Sequence, residues 1–356
     1  MTGWDASAFR GRVQRELDAF LDRQAPLLEP LGPDATRLLD QARVSMTGGK
    51  RFRAAFCQWG FRAVAATSGE TGEPALDRAC AALELLHASA LVHDDYMDGS
   101  DTRRGNPATH VHFAREHVSA GWSGPPAAYG GAGAILLGDL LLAWADELLR
   151  GSGFAWEVLG PAMAIFDVCR TEVIAGQFLD VSVQARGRAD VATAMTVLRY
   201  KSAKYSVERP LHLGAALAGA APAQLEALTA FGLPLGEAFQ LRDDVLGVFG
   251  DPSVTGKPAG DDLVEGKRTV LVAETLGRAS DEDAARLDAS LGGPLTEAEV
   301  GALRSIITTS GALDAVEARI AALTATALDA LRSSGLDARA VAVLASLADA
   351  ATQRAL

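Results

Sequence analysis

The chain has 356 residues, with 45 acidic against 33 basic side chains and a formal net charge of −12. Nucleic acids and anionic membranes attract basic surfaces, so this balance argues against either as the main partner. Hydrophobic residues make up 49% of the chain and charged residues 22%, which is an ordinary globular composition that can bury a large core.

The sequence predicts a cytoplasmic protein without integral membrane association. Its first twenty residues carry charge throughout and lack the apolar region of a signal peptide. The most apolar stretch, 131–149, is interrupted by Asp139, Asp146 and Glu147, so it predicts a buried helix rather than a membrane span. The three cysteines have neither disulfide nor zinc spacing and predict buried thiols in a reducing compartment.

Most of the chain is predicted to be helical, because apolar residues recur at spacings of three and four and no segment alternates with period two. The periodic stretches are 8–22, 36–46, 53–66, 75–98, 135–150, 160–185, 191–207, 223–249 and 312–332. Stretches rich in Gly and Pro predict loops at 67–74, 119–134, 250–262 and 291–299. We therefore expect one all-α domain over residues 1–356, a bundle of roughly ten or more helices.

Two acidic clusters end apolar helical stretches. Asp94 and Asp98 are four residues apart and share one face of their predicted helix, with Asp95 beside them. Asp243 and Asp244 end a second stretch. One such cluster alone is more often a solvated helix end. Two that face each other would form an oxygen-rich cavity suited to Mg²⁺, with substrate phosphates completing the coordination.

Three basic sets accompany these carboxylates, and each alone would be read as solubilising surface charge. Arginine forks match phosphate oxygens, while lysine acts as a point charge. Their occurrence together with two acidic helix ends favours a diphosphate site. The sets are Lys50, Arg51 and Arg53 in GGKRFR, Arg103 and Arg104 in DTRRGNP, and Lys201 and Lys204 in YKSAKYS.

The ordered motifs resemble those of trans-isoprenyl diphosphate synthases, most of all bacterial geranylgeranyl-type polyprenyl synthases. The motifs are GGKRFR, HASALVHDDYMD, TRRGNPATH, GD, GQFLD, KS, FQLRDD and GKPAGDDLVEGK, between residues 45 and 270. Each is weak alone, but eight in this order are specific. The resemblance implies the isoprenoid synthase type I fold, with helices around a central active-site cavity, C-terminal helices over 271–356, and a homodimer.

The resemblance also implies roles for single residues. Mg²⁺, three ions with substrate bound, would be held by Asp94, Asp98 and Asp243, with Asp95 and Asp244 in support. Isopentenyl diphosphate would be held by Lys50, Arg53, His87 and Arg104. The allylic diphosphate would be contacted by Arg103, Lys201 and Lys257, with Lys267 closing over the leaving group. Ser202 and Gln240 would direct oxygen dipoles at the developing carbocation, and Gln177 and Asp180 would line the same cavity.

One position departs from the family pattern. Gly247 stands where many relatives carry the third Asp of the second cluster, and Asp251 is no obvious substitute. We expect activity to persist, because the first Asp of that cluster, Asp243, is usually the direct ligand.

Product length is predicted from the helix that carries Asp94. One helical turn rises about 5.4 Å, close to one isoprene unit, so the residues just before the carboxylates limit the growing chain. Ser89 and Ala90 are small and leave room for the growing chain. The residue that blocks further growth, the floor of the product cavity, is therefore expected deeper, at Leu86 or on a neighbouring helix. This favours a C20 product, geranylgeranyl diphosphate.

The sequence thus indicates a head-to-tail prenyltransferase that joins isopentenyl diphosphate to dimethylallyl, geranyl or farnesyl diphosphate. Synthases of farnesyl (C15) or longer (C25 and above) diphosphates remain alternatives. A class I terpene cyclase would have no use for a second diphosphate site. A non-catalytic regulatory subunit of a heteromeric synthase would tend to lose its aspartates, and this chain keeps nearly all of them.

Overall fold

The computed structural model describes residues 4–65, 74–188, 190–250 and 260–353, and these are almost entirely helical, which confirms the predicted all-α class. The helices are α1 (Ala6–Leu28), α2 (Pro33–Ser45), α3 (Phe52–Val64), α4 (Pro74–Asp98), α5 (Thr109–Ser119), α6 (Pro126–Arg150), α7 (Trp156–Arg186), α8 (Val191–Leu198), α9 (Arg209–Leu217), α10 (Pro222–Phe249), α11 (Asp261–Val264), α12 (Val270–Arg278), α13 (Asp281–Ser290), α14 (Glu297–Thr309), α15 (Ala312–Arg332) and α16 (Ala338–Thr352). A 3₁₀ turn (Glu29–Leu31) follows α1, and a π-helical segment (Arg199–Glu208) joins α8 to α9. Two short strands, β1 (Thr102–Arg103) and β2 (Asn106–Pro107), pair antiparallel between α4 and α5.

The chain divides into two compact units, Met1–Gln58 with Thr67–Met163, and Trp59–Ala66 with Ala164–Leu356. We call them the first and the second unit. The single domain over 1–356 stays a prediction.

In the first unit, α1 packs on α4 through a fully apolar stripe. Its side chains at spacings of three and four are Phe9, Val13, Leu17, Phe20 and Leu21, and each is at most 1% exposed. The Asp5 carboxylate caps the helix by accepting from the backbone N–H groups of residues 7 and 8. The apolar period that predicted a helix over 8–22 is therefore the buried face of α1.

The glycine-rich stretch 119–134 is a loop only in its first part, and the prediction was wrong for residues 126–134, which open α6. These glycines serve close packing rather than a turn. A Cβ at Gly131 would lie 2.5 Å from the Tyr96 hydroxyl, and one at Gly138 would overlap the His93 ring. The small residues let α6 lie directly against the last turns of α4.

Within the described residues, no helix is both long and apolar enough to cross a bilayer. The stretch over 131–149 instead buries Leu137, Leu141 and Leu148 in the first unit, as predicted.

In the second unit, α10 lies against the π-helical segment and α15. A Cβ at Gly236 would lie 2.5 Å from the backbone oxygen of Ala203, so the two backbones nearly touch. Arg242 donates two hydrogen bonds to Glu317 of α15, at 2.6 and 2.7 Å. These contacts fix the end of α10, where the second acidic cluster lies.

Candidate active site

The first acidic cluster lies on the last turn of α4. Asp94 and Asp98 are partly exposed and share one face, as predicted. A helix C-terminus carries partial negative charge, so carboxylates there are unfavourable unless a cation compensates them. The last turn of α4 holds no basic residue. The position therefore favours the binding of a cation.

Asp95, the middle carboxylate of the cluster, faces a guanidinium. It is 3% exposed and accepts from Arg103 Nε at 2.9 and 3.2 Å, with a further contact from Arg103 Nη2. Asp95 thus orients Arg103 in this structure, and its role as a metal ligand stays a prediction.

The β1–β2 hairpin and the GGKRFR turn meet in the first unit. Arg104, at the hairpin bend, has a φ of 52°, in the left-handed region. Its Nη1 donates to the backbone oxygen of Thr47 at 3.0 Å, and a Cβ at Gly49 would lie 3.2 Å from its guanidinium. Glycine at 49 therefore leaves room for the arginine.

Arg51 is the buried member of the GGKRFR set. It is 5% exposed and donates to Glu84 Oε2 of α4 at 2.9 Å. Its neighbours in the turn, the exposed Lys50 and the partly exposed Arg53, were the two predicted to hold isopentenyl diphosphate. Arg51 itself is buried and ties the turn to α4 through Glu84.

His87 of α4 lies among these arginines. Burial, and then the charges of Arg53, Arg104, Arg103 and Arg51, lower the pKa of its imidazole well below the usual value, so the ring is neutral at physiological pH. Burial and the neighbouring Arg51 also lower the pKa of the Arg104 guanidinium. The predicted residues Lys50, Arg53, His87, Arg103 and Arg104 thus lie in one unit, and four arginines are close enough to act on one histidine. We call these arginines with His87 the arginine cluster.

The second acidic cluster ends α10 in the second unit. Asp243 is partly exposed, whereas Asp244 is 8% exposed and accepts from Gln240 Nε2 at 2.8 Å. Burial, and then the charges of Asp262 and Asp243, raise the pKa of Asp244 to about 8. Without a metal this carboxyl is largely protonated at neutral pH, which fits the supporting role predicted for it beside Asp243.

The space beside Gly247 is filled by a carboxylate that the sequence analysis missed. A Cβ at Gly247 would overlap the carboxylate of Asp262. Asp262 thus brings a third carboxyl group to the second cluster from a later segment of the chain. Asp251, the other residue considered there, lies outside the described residues.

The π-helical segment presents the predicted Lys201 and Ser202. Lys201 Nζ lies 2.6 Å from Asp180 Oδ2 of α7, and Ser202 is 8% exposed. A Cβ at Gly176, in the GQFLD motif next to Gln177, would overlap the backbone of Lys201. Wide π-helical turns are frequent at functional sites, and here glycine lets α7 approach one.

Lys204 belongs to an internal network rather than to an open basic set. Its Nζ lies 3.3 Å from Glu172 and 2.9 Å from Glu208, and Arg209 donates two hydrogen bonds to Glu172. This network stabilises the π-helical segment beneath Lys201.

Of the two lysines predicted in the loop before α12, the structure describes only one. Lys257 lies outside the described residues. Lys267 lies 3.6 Å from Asp262 and also contacts Glu265, so its predicted closure over a leaving group stays a prediction.

The predicted chain-length residues lie on α4 before the acidic cluster. Leu86 and Ser89 are each 3% exposed, and Ala90 is partly buried. Ser89 is one turn before His93, on the face of α4 that meets α6. A larger side chain at 89 would therefore press on buried space rather than reach solvent.

The donor set suits a metal that shares its coordination with a ligand. Among the described residues, no three carboxylate, imidazole or thiol groups already converge as a complete metal site. Mg²⁺ in proteins is typically held by one or two carboxylates together with water and substrate phosphates. Asp94 with Asp98 on α4, and Asp243 on α10, fit that incomplete pattern.

Comparison with known proteins settles the family. The model of the polyprenyl synthetase family matches residues 36–308. The chain belongs to the polyprenyl synthetase family. The predicted site residues of this polyprenyl synthetase, from Lys50 to Lys267, lie inside the matched stretch, and the resemblance indicated by the motifs is confirmed.

Relatives of this polyprenyl synthetase carry different product names. It is 33% identical over 311 residues to the geranylfarnesyl diphosphate synthase of Aeropyrum pernix, covering 86% of this chain and 91% of that protein. It is 34% identical over 307 residues to the geranylgeranyl diphosphate synthase of Mycobacterium tuberculosis, covering 83% and 80%. The crystal structure of the geranylgeranyl pyrophosphate synthase of Corynebacterium glutamicum, complexed with isoprenyl diphosphate and magnesium, matches with a TM-score of 0.96 at 39% identity, over 99% of this chain and 100% of that one.

The lowered pKa of His87 predicts how the stability of this polyprenyl synthetase depends on pH. An unfolded histidine binds its proton near pH 6.5, whereas folded His87 does so only at lower pH. Between these values the unfolded chain holds more protons, so the free energy of unfolding falls as the pH falls. His87→Gln removes this contribution. Denaturant unfolding at about pH 7.5 and about pH 5.5 should show a smaller acid loss in the variant than in the wild type; equal losses would contradict the assignment.

Proposed function

We propose that the chain is a Mg²⁺-dependent geranylgeranyl diphosphate synthase, a prenyltransferase that joins isopentenyl diphosphate to allylic diphosphates and releases pyrophosphate. The arginine cluster carries the proposal. Helix α4 brings His87 among four arginines and, two turns later, ends in Asp94 and Asp98. A condensation of two diphosphates needs two anion sites. One holds a diphosphate through metal ions, and the other holds a diphosphate through arginine and lysine side chains.

The residues of the first unit bind and hold the substrates. Lys50, Arg53 and Arg104 neutralise isopentenyl diphosphate, and neutral His87 donates or accepts a hydrogen bond without adding charge. Arg103, oriented by Asp95, contacts the allylic diphosphate. The substrates are thus held side by side, which removes much of the entropic barrier to their condensation.

Asp94 and Asp98 at α4, and Asp243 at α10 with Asp244 in support, would hold Mg²⁺. The metal would supply positive charge to the leaving pyrophosphate, so that the allylic C–O bond could ionise. The cation that forms is attacked by the double bond of isopentenyl diphosphate. A proton is then lost to pyrophosphate, and no covalent enzyme intermediate is needed.

Two polar side chains are proposed to supply dipoles for the carbocation. Ser202 and Gln240 direct oxygen atoms towards the developing positive charge. Because the Gln240 amide nitrogen donates to Asp244, its carbonyl oxygen has a fixed direction. Lys201, held by Asp180, assists at the allylic diphosphate together with Lys257 and Lys267.

The alternatives are less well supported. A class I terpene cyclase has a single diphosphate substrate and leaves the arginine cluster without a use. A non-catalytic subunit has no need of the carboxylates that end α4 and α10. Among product lengths, the small Ser89 and Ala90 argue against C15, and the names of the Mycobacterium and Corynebacterium relatives favour C20 over the C25 named for the Aeropyrum relative.

Removing either direct metal ligand tests the reaction. Asp94→Ala and Asp243→Ala should each lower kcat on the order of 10³-fold, because each removes several kcal/mol of transition-state stabilisation. The assay supplies labelled isopentenyl diphosphate, farnesyl diphosphate as the allylic substrate, and Mg²⁺. The labelled product is extracted and sized by chromatography.

The matched control is Asp22→Ala, which removes an exposed carboxylate of α1 paired with Arg43. Circular dichroism should show all three variants folded. Near-normal turnover in either metal-ligand variant would contradict the proposal.

Product length is tested at the buried face of α4. Ser89→Phe should shift the product from C20 towards C15, because the ring fills space that the growing chain would otherwise enter. Chromatography of the dephosphorylated products measures the shift. Asp22→Asn on the surface of α1 is a control that should leave the product unchanged. If Ser89→Phe makes C20 in the wild-type proportion, the growing chain does not pass residue 89, and the predicted path of the product is wrong.

A homodimer, with the chain in the cytoplasm, is part of the proposal. Helix α7 exposes an apolar stripe in which Ile174, Phe178 and Val181 are 56%, 72% and 36% exposed. Contiguous exposed apolar surface of this kind marks association sites. The buried free cysteines suit a reducing compartment.

Phe178→Glu should convert the dimer to monomer in sedimentation equilibrium, since a charge in the stripe opposes its burial. The control Leu31→Glu changes a residue that is 70% exposed outside α7 and should leave the dimer intact. A wild-type monomer, or a dimer that survives Phe178→Glu, would contradict this arrangement.

A further inference from the structure

Helix α1 supplies a residue to the arginine cluster that no motif marks. We infer that Gln14 is a positioning residue of the isopentenyl diphosphate site and acts through Arg51; the inference rests on the proposed function. Gln14 lies before residue 36, where the match to the family model begins.

Arg51 occupies an unusual backbone conformation at the start of α3. Its φ is 55°, in the left-handed region that side chains other than glycine seldom adopt. Its carbonyl accepts from the N–H of Ala55 at 2.9 Å, so the same residue begins the helix. Such a conformation persists only where the surroundings hold it in place.

Three acceptors from three parts of the first unit hold the guanidinium of Arg51. Nη1 donates to Glu84 Oε2 at 2.9 Å, while Nη2 donates to Gln14 Oε1 at 2.7 Å and to the backbone oxygen of Met46. The side chains of Arg51 and Glu84 are 4% and 3% exposed. The other oxygen of Glu84 accepts from the N–H of Ala54 at 3.4 Å. Gln14 of α1 and Glu84 of α4 thus both hold the turn through Arg51.

Gln14 is itself held in orientation. Its Nε2 donates to Asp18 Oδ1 at 2.9 Å, one helical turn on, which directs Oε1 to Arg51. The adjacent Val13 and the nearby Leu17 are 0% exposed, so packing fixes this part of α1.

The consequence lies in the residues on either side of Arg51. Lys50 and Arg53 flank it in the turn and are proposed to bind isopentenyl diphosphate. If the Gln14 acceptor is removed, a buried N–H of Arg51 loses its partner, and the turn can relax to satisfy it. The loss should weaken binding at the isopentenyl site, because the side chain of Gln14 bonds to Arg51 and Asp18 and not to the residues proposed to hold the allylic diphosphate.

The test compares Gln14→Leu and Gln14→Glu with the matched control Gln24→Leu in the full chain. Gln24 lies on the same helix, about 15 Å further along. It is 4% exposed and donates to Glu147 at 2.8 Å, so its substitution removes a comparable buried hydrogen bond.

Gln14→Leu should raise the KM for isopentenyl diphosphate, and the Kd of its non-reactive thiolodiphosphate analogue measured by calorimetry, about three- to tenfold. The KM for farnesyl diphosphate and kcat at saturation should not change. Gln14→Glu should restore both isopentenyl constants in part, because a carboxylate oxygen can accept from Arg51 although it cannot donate to Asp18. Gln24→Leu should leave all of these constants at their wild-type values.

Isopentenyl constants that are equal in Gln14→Leu and wild type would overturn the inference alone, as would the same rise in Gln24→Leu. A wild-type chain that binds no isopentenyl analogue would overturn the proposed function and this inference with it. Should Gln14→Leu fail to fold, Arg51→Lys takes its place, since a lysine cannot reach all three acceptors. The same selective rise then supports the inference, and unchanged isopentenyl constants refute it.

Discussion

Four arginines around one histidine are the constraint on which the rest of the first unit depends. The chain as a whole carries a formal charge of −12, yet here burial and the positive charge of four arginines together hold the pKa of His87 well below its usual value. Like charges held this close repel one another. Glu84 and Asp95 each offset one guanidinium, on Arg51 and Arg103.

The same helix poses the opposite problem at its end. Asp94 and Asp98 lie on the last turn of α4, where the helix dipole disfavours negative charge and no basic side chain shares the turn. A divalent cation relieves that repulsion, and a metal-bound diphosphate adds the phosphate oxygens that the protein does not supply. In the second unit, burial and the neighbouring carboxylates of Asp262 and Asp243 raise the pKa of Asp244 to about 8, although Lys267 lies 3.6 Å from Asp262. A metal-bound diphosphate would therefore relieve unfavourable negative charge at both acidic clusters.

The sequence predicted the helical class, because helices follow local patterns. Apolar spacing located the buried face of α1, and the pair Asp94 and Asp98 needed only the helical period to be placed on one face. The glycines of 126–134 were misread, since glycine usually breaks helices. Gly131 permits the close contact of α6 with Tyr96, which is a tertiary contact that no local sequence pattern reveals.

Gln14 and Asp262 were missed for the same physical reason. Each acts on a residue far away in sequence, Gln14 on Arg51 and Asp262 beside Gly247, and no spacing rule connects such pairs. Glu84 did carry a clue, since an acidic residue within the apolar stretch 79–86 needs a cationic partner when it is buried. The absent third Asp at Gly247 was noticed in the sequence, but the carboxylate that fills its space could be identified only in the structure.

The central claim is that the arginine cluster binds the diphosphate of the isopentenyl partner without metal. Calorimetric titration of the metal-free chain with the thiolodiphosphate analogue of isopentenyl diphosphate, in the presence of EDTA, tests it most directly. The account predicts saturable binding at one site per chain, lost in both Arg53→Met and Arg104→Met and retained in Asp94→Ala. Binding that requires Mg²⁺, or that survives both arginine substitutions, would contradict it.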